Sequence, residues 1–224
     1  MFFLKKFVDL ITLGLIALLL YGTVQADEHK AYVQLNAGAV FAPTNSFTPN
    51  AASGNNDLPR VVFDYDPGYA TGLAVGYRVA ERFRLEGELL YQSSNFDNDF
   101  VFANGSFGSS ETHFNGERTR AAALLNGYYD FKNQTPFTPY ITAGVGGYHV
   151  EFKSKDAYGL RNDFDVAYQV GAGVNYKVSD RFSFDLKYRY FSGADPHIKR
   201  IDDRFSTLFD VGDHQLMAGV RIVF

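Results

Sequence analysis

The chain has 224 residues, with no cysteine, no tryptophan and a formal net charge of −4 at pH 7. A length close to one domain, a mildly acidic charge and the lack of a basic stripe argue against a nucleic-acid-binding protein. Because there is no cysteine to form a disulfide scaffold, the stability must come from a sheet or a core.

The N-terminus is typical of a secretory signal peptide. Lys5 and Lys6 precede an apolar stretch, and Val24-Gln25-Ala26 forms a small-residue cleavage site. The apolar stretch, residues 10–20, has 11 residues, whereas a membrane-spanning helix needs roughly 17–25. This length disfavours the alternative of an uncleaved anchor. We predict a signal peptide at residues 1–26 and a single β-barrel domain at residues 27–224.

Eight later segments alternate apolar with small or polar side chains, a period of two that is typical of β-strands. In the first, Val33, Leu35 and Ala37 alternate with Gln34 and Asn36. The segments are residues 31–41, 69–79, 82–91, 119–131, 139–150, 166–178, 181–191 and 214–224. After the signal no apolar run reaches the length of a membrane helix, so a membrane crossing would require a closed barrel.

The connections between these segments alternate in length. The short ones are residues 79–82, 132–138 and 178–181, and the long ones are residues 42–68, 92–118, 151–165 and 192–213. This pattern predicts an all-β fold: an eight-stranded antiparallel up-and-down transmembrane β-barrel with short periplasmic turns and four long extracellular loops. Acidic runs at residues 97–99, 202–203 and 210–213 are interpreted as solvated loop segments, with a cation site as the alternative.

Alternation also fits a β-sandwich or a lipocalin-like barrel with its apolar face inward. The distribution of charge must therefore decide which face of the sheet points outward. The polar face is too charged for a core and carries both signs, which allows pairing across a narrow lumen. A lipocalin would also be expected to carry a Gly-x-Trp motif, and the chain has no tryptophan. The predicted lumen charge network is Arg84, Glu86, Glu88, Arg120, Asp130, Lys177, Asp185, Lys187, Arg189 and Arg221.

Aromatic residues of the apolar face cluster beside the short turns. We interpret them as the girdle that outer-membrane barrels place at the membrane interface. They are Tyr77, Phe83, Tyr129, Phe131, Tyr176, Phe182 and Phe224.

Three features carry a resemblance to a known family. Residues 171–191 read GAGVNYKVSDRFSFDLKYRYF, residues 139–147 read PYITAGVGG, and the last residue is Phe224. These features resemble the OmpA-like barrels of the opacity-protein and small surface-antigen group, the porin family. The resemblance implies the outer membrane of a Gram-negative bacterium and insertion by the β-barrel assembly machinery, which reads a C-terminal strand ending in Phe. The corresponding residues here are Leu216, Ala218, Val220, Ile222 and Phe224.

The interior of an eight-stranded barrel is just wide enough for side chains to fill, so a wide pore is not expected. We expect a monomeric, adhesin- or surface-antigen-like protein. Its partners would be the lipid bilayer, lipopolysaccharide and ligands on host or neighbouring cells, which the four loops would contact. No pattern indicates a catalytic, cofactor or metal site.

Two alternatives to surface interaction stay open. One is a narrow channel for small or hydrophobic solutes. The other is a lipid A-modifying enzyme, because His149 and Glu151 lie two residues apart on one face, although no serine of that parity is nearby in the strand. By parity, His149 and His214 point toward lipid near the loop end, at the level of lipopolysaccharide phosphates.

Overall fold

The computed structural model describes residues 30–43, 45–47, 60–101, 111–154, 163–193 and 212–224. The predicted signal peptide lies outside these ranges. Within them the chain forms ten strands. They are β1 Ala31–Phe41, β2 Asn45–Phe47, β3 Arg60–Tyr65, β4 Gly68–Arg78, β5 Phe83–Val101, β6 Glu111–Asp130, β7 Phe137–Ser154, β8 Asp163–Lys177, β9 Phe182–Gly193 and β10 Asp213–Val223. No helix in the described part of the chain is long and apolar enough to cross a membrane.

Eight of the described strands, β1 and β4 to β10, close into one antiparallel barrel. Strand β1 pairs with β10 on one side and with β4 on the other, and the remaining neighbours are consecutive in the chain. Closure leaves no strand edge unpaired in the barrel wall, which is the condition for a sheet to cross lipid. The predicted eight-stranded up-and-down barrel is confirmed.

The apolar side chains of the alternating pattern face outward. On β9, Phe184 and Leu186 have exposed fractions of 55% and 50%, whereas Asp185 and Lys187, which alternate with them, are 4% and 1% exposed. A water-soluble sandwich or lipocalin would show the reverse order, so these two alternatives are excluded. The exterior is an apolar surface suited to lipid, and the polar residues are inside.

Short polar motifs form the tight turns. Between β8 and β9, the Ser179 hydroxyl accepts from the Phe182 amide at 3.1 Å. Between β6 and β7, the Asn133 side-chain oxygen accepts from the Thr135 amide at 2.8 Å, and the Asn133 side-chain nitrogen donates to the Phe137 carbonyl at 2.9 Å. Asn and Ser favour turns because their side chains hydrogen-bond to nearby backbone groups.

The predicted loop boundaries at residues 42–68 and 92–118 were wrong. The first connection contains β2 and β3, and β3 pairs with the upper part of β5. Strands β5 and β6 continue past the predicted ends until Val101 pairs with Glu111. Sequence alternation could not reveal these extensions, because a strand that has left the membrane meets water on both sides and no longer needs an apolar parity.

Candidate functional site

The barrel interior holds most of the predicted charge network. The structure places nine of its ten members in the interior with almost no exposure: Arg84, Glu86, Glu88, Arg120, Asp130, Asp185, Lys187, Arg189 and Arg221. The tenth, Lys177, lies at the turn end, where its Nζ is 2.7 Å from Asp180 Oδ1 and both side chains are exposed. These interior contacts form three layers along the barrel axis.

The turn-end layer is built around Arg84 and Glu86. Two nitrogens of Arg84 donate to the two Asp130 oxygens at 2.8 Å each, a bidentate pair. The hydroxyls of Tyr32 and Tyr128 donate to Glu86 at 2.8 and 2.6 Å. The Arg84 guanidinium also lies 4.3 Å from the centre of the Tyr128 ring. Each buried charge in this layer therefore has hydrogen-bond partners, as a low-dielectric interior requires.

Asp185 extends the same layer across the barrel. It accepts from the Tyr140 hydroxyl at 2.6 Å and from Arg221 at 3.2 Å, and Arg221 in turn donates to the Gln34 side chain at 2.8 Å. These four residues come from four strands, β1, β7, β9 and β10. The contacts therefore link opposite parts of the wall.

The middle layer has one carboxylate with two cations. Glu88 accepts from Arg189 Nη1 at 2.7 and 2.8 Å and from the Asn126 side chain at 2.9 Å. The Gln169 side chain donates to Glu88 at 3.3 Å, and Lys187 Nζ lies 4.0 Å from Glu88 Oε1. Glu88 is therefore the negative centre of this layer.

The loop-end layer is centred on Asp213. Its carboxylate accepts from Arg118 at 2.8 Å, from Arg120 at 2.7 Å and from Gln92 at 2.6 Å. The Gln215 side chain donates to the Gln92 side chain at 2.7 Å. These polar groups lie at the end of the barrel nearest the extracellular connections.

A cluster of buried, mostly apolar side chains also lies in the interior. Tyr148 packs edge-on against Phe191 with ring centres 6.2 Å apart, and the Arg120 guanidinium lies 5.6 Å from the Phe191 ring centre. The cluster comprises Val40, Ala70, Leu90, Ala122, Leu124, Tyr148, Val150, Ala167, Phe191 and Met217. Side chains thus fill the interior, as expected for a barrel of eight strands.

Sequence reasoning missed part of the loop-end layer. Gln92, Arg118 and Asp213 lie in predicted long connections, and Asp213 also lies in a predicted solvated acidic run. The alternation of side chains along the strands could have predicted that these residues point inward. Arg118 lies on the same face as Arg120, and Asp213 lies on the same face as Gln215. The side chains of residues 97–99 and 202–203 lie outside the described residues. Within the described part of the chain, no three His, Cys, Asp or Glu side chains are grouped to hold a metal ion.

The outer surface carries the predicted aromatic girdle at the turn end. Phe83 packs against Tyr129 with ring centres 5.2 Å apart. Phe137, which lies in a predicted short connection, also belongs to the girdle. Its ring centre is 4.7 Å from the ring centre of Tyr176. The C-terminal residues Leu216, Val220, Ile222 and Phe224 are exposed on this outer surface.

A closed barrel with a paired polar interior, an apolar exterior and an aromatic girdle is the architecture of a small integral outer-membrane barrel of Gram-negative bacteria. Residues 10–221 match the family described as the outer membrane protein beta-barrel domain. The chain belongs to this family, and it is located in the outer membrane.

Similar proteins come from several bacteria. Outer membrane protein PagN of Salmonella typhimurium is 30% identical over 148 residues, which cover 59% of this chain and 60% of PagN. The alignment therefore spans less than two thirds of PagN. A Rickettsia conorii protein named "Putative adhesin RC1281" is 26% identical over 211 residues, covering 87% of this chain and 82% of that protein. The crystal structure of Neisserial surface protein A has a TM-score of 0.50 and 19% identity, covers 87% of this chain and 97% of that one, and shows the same fold.

Proposed function

We propose that this protein is a non-enzymatic surface-interaction protein, adhesin- or surface-antigen-like, whose extracellular connections contact ligands on host or neighbouring cells. The observation that carries the proposal is a sheet of β2, β3, β5 and β6 beyond the barrel. From Ser93 to Val101 the chain adds about 27 Å of strand, or roughly 20 Å along the axis at a tilt near 40°. A hydrogen-bonded sheet that extends beyond the barrel can support loops that bind ligands.

The filled interior supports this function over the channel. The three polar layers and the apolar cluster occupy the space through which a solute would have to pass. The name of the Rickettsia conorii relative also agrees with a surface role, although it describes that protein and not this one.

The enzyme alternative lacks a serine at the positions opposite the pair. The residues opposite His149 and Glu151 on β6 are Ala121 and Thr119. A hydrolase of the kind considered needs a serine within hydrogen-bond reach of its base. We therefore propose that the His149 and Glu151 pair belongs to the outer surface and has no catalytic role.

Removing the parts of β5 and β6 that extend beyond the barrel should abolish surface binding without unfolding the barrel. In this variant, a two-residue Asn-Gly turn replaces residues 96–116 and joins Asn95 to Glu117, which are paired in the sheet. We expect cells that express the variant to lose adhesion to cultured epithelial cells and to cells of their own kind. The protein should keep its heat-modifiable gel mobility.

A scrambled sequence at residues 102–110 is the matched control, because it keeps the length and composition of the connection. Loss of adhesion with the scramble would place binding at the tip, and retention would place it on the sheet. Adhesion that survived truncation of each of the four connections in turn would contradict the proposed function.

We also propose that the outward stripe of β10 and Phe224 is the signal for the β-barrel assembly machinery. The Phe224 amide donates to the Ala31 carbonyl at 2.9 Å, so the end of the chain also closes the barrel against β1. Phe224 is 55% exposed. Its ring is therefore available to a partner during insertion. The stripe comprises Leu216, Ala218, Val220, Ile222 and Phe224.

Phe224→Asn should lower the amount of folded protein in the outer membrane several-fold, while refolding into micelles stays unchanged. The control is Phe182→Asn, because Phe182 belongs to the same girdle and is 50% exposed. Folded yield measured by gel mobility in membrane fractions separates the two variants. Equal losses for both would show a general cost of removing an interfacial aromatic and would contradict a role in assembly.

A further inference from the structure

Four rings form a continuous aromatic platform on the outer surface, at the loop end of β8, β9 and β10. We define it as Tyr168, Tyr188, Tyr190 and His214. The His214 ring stacks on Tyr188 with centres 5.9 Å apart and planes 18° apart, and it lies 5.3 Å from the Tyr190 ring. Tyr190 lies 6.4 Å from Tyr168. The Tyr188 hydroxyl is 2.7 Å from His214 Nδ1.

The depth of the platform follows from β10. His214 and Phe224 share the outward parity and are separated by ten residues. This separation corresponds to about 33 Å along the strand and roughly 25 Å along the barrel axis at a tilt near 40°. An outer-membrane barrel has an apolar band of about 25 Å, so with Phe224 at the periplasmic boundary His214 lies at the outer one.

Packing inside the barrel does not account for a histidine at this position, because its side chain points outward and is exposed. The tautomer that accepts from the Tyr188 hydroxyl at Nδ1 carries its hydrogen on Nε2, at the opposite edge of the ring. A donor at the outer boundary meets lipid headgroups. Hydrogen bonds to ionised acceptors such as phosphate are roughly twice as strong as those between neutral groups.

The tyrosine rings add a second element of recognition. Tyr188 and Tyr168 are 52% and 40% exposed, so their faces are open to a neighbour in the outer leaflet. A flat aromatic face packs well against the C–H face of a sugar ring. A phosphate donor next to such faces fits a phosphorylated sugar better than the headgroup of a phospholipid, which has phosphate without that sugar.

We propose that the platform binds the phosphorylated glucosamine headgroup of lipopolysaccharide in the outer leaflet. His214 donates to a phosphate oxygen, and the tyrosine rings pack against the sugar. Lipopolysaccharide is the occupant because it is the lipid that surrounds an outer-membrane protein at this depth. The Tyr188 hydroxyl positions the imidazole so that Nε2 faces the headgroup.

The test is native mass spectrometry of the full-length folded protein in detergent, titrated with bis-phosphorylated lipid A. We expect His214→Phe, which keeps a ring and removes the donor, to weaken binding about tenfold. Tyr188→Phe removes only the hydroxyl and should weaken binding about threefold. Dephosphorylated lipid A should bind the wild type as weakly as lipid A binds the His214→Phe variant.

His149→Phe is the matched control, because His149 is also an outward histidine near the loop end but lies on β7, outside the platform. Lipid A binding should stay unchanged in this variant, because the proposed site needs the platform and not only a histidine at that level. Gel mobility confirms that each variant is folded. Unchanged binding in His214→Phe, equal losses in both histidine variants, or equal binding of phosphatidylglycerol and lipid A would each overturn the proposal. So would a dimer of the protein that forms through the platform and excludes lipid.

Discussion

Glu88→Gln is expected to destabilise the barrel by about 3–5 kcal/mol, although the substitution only replaces one carboxylate oxygen by an amide NH2 group. Glu88 is fully buried and is the carboxylate that Arg189 and Lys187 share in the middle layer. A glutamine keeps the shape but leaves two buried cations without their counter-charge. The measurement is urea unfolding of the folded barrel in micelles, followed by gel mobility.

The exposed pair Lys177–Asp180 provides the control for this effect. Its Nζ–Oδ1 distance of 2.7 Å equals the Arg189–Glu88 distance, but both of its partners are exposed. Asp180→Asn should therefore cost less than about 1 kcal/mol, because water screens the exposed charges.

A double-mutant cycle separates the pairing of Glu88 from its packing. The variant with Glu88→Gln and Arg189→Gln should lose less stability than the sum of the two single variants, by about 1–3 kcal/mol, because the two residues are in direct contact. Strictly additive losses, or a Glu88→Gln variant as stable as the wild type, would contradict the assignment of Glu88 as the centre of the layer.

Gly76→Ala is expected to destabilise the barrel by about 3 kcal/mol, the upper part of the range for overpacking. A Cβ at Gly76 would overlap the ring of Tyr32 on the neighbouring strand β1. That ring has little freedom to move, because its hydroxyl is held by Glu86 at 2.8 Å and by Arg84 at 2.9 Å. Arg221 also lies 4.5 Å from its centre.

Gly87→Ala is the matched control, because a Cβ there meets nothing within 4 Å. Its stability should stay within about 0.5 kcal/mol of the wild type. Removing the ring should relieve the clash, so Tyr32→Ala combined with Gly76→Ala should be as stable as Tyr32→Ala alone. If Gly76→Ala and Gly87→Ala unfolded at the same urea concentration, the close packing of Tyr32 on Gly76 would have no energetic importance.

The sequence alone was sufficient to predict the barrel. Its walls face lipid on one side and a filled interior on the other, so each strand alternates strictly, as Phe182 to Leu186 do in β9. The charges of both signs on the inner parity and the aromatics beside the short turns then determined which face is outside and which end is periplasmic. These features are local in sequence, so they can be recognised without knowledge of the tertiary structure.

The tertiary structure alone decided which charges meet. Glu88 and Arg189 are 101 positions apart in the chain, and Gln92 and Gln215 are 123 apart, and no spacing rule in the sequence predicts contacts across a lumen. The short strands β2 and β3 and the extensions of β5 and β6 could likewise not be predicted, because above the membrane neither face of a strand must be apolar. The register in which the strands pair around the barrel brings Asp213 of β10 to both Arg118 and Arg120 of β6. The sequence therefore determined the parity of each side chain, whereas its partner depends on strand stagger and barrel closure.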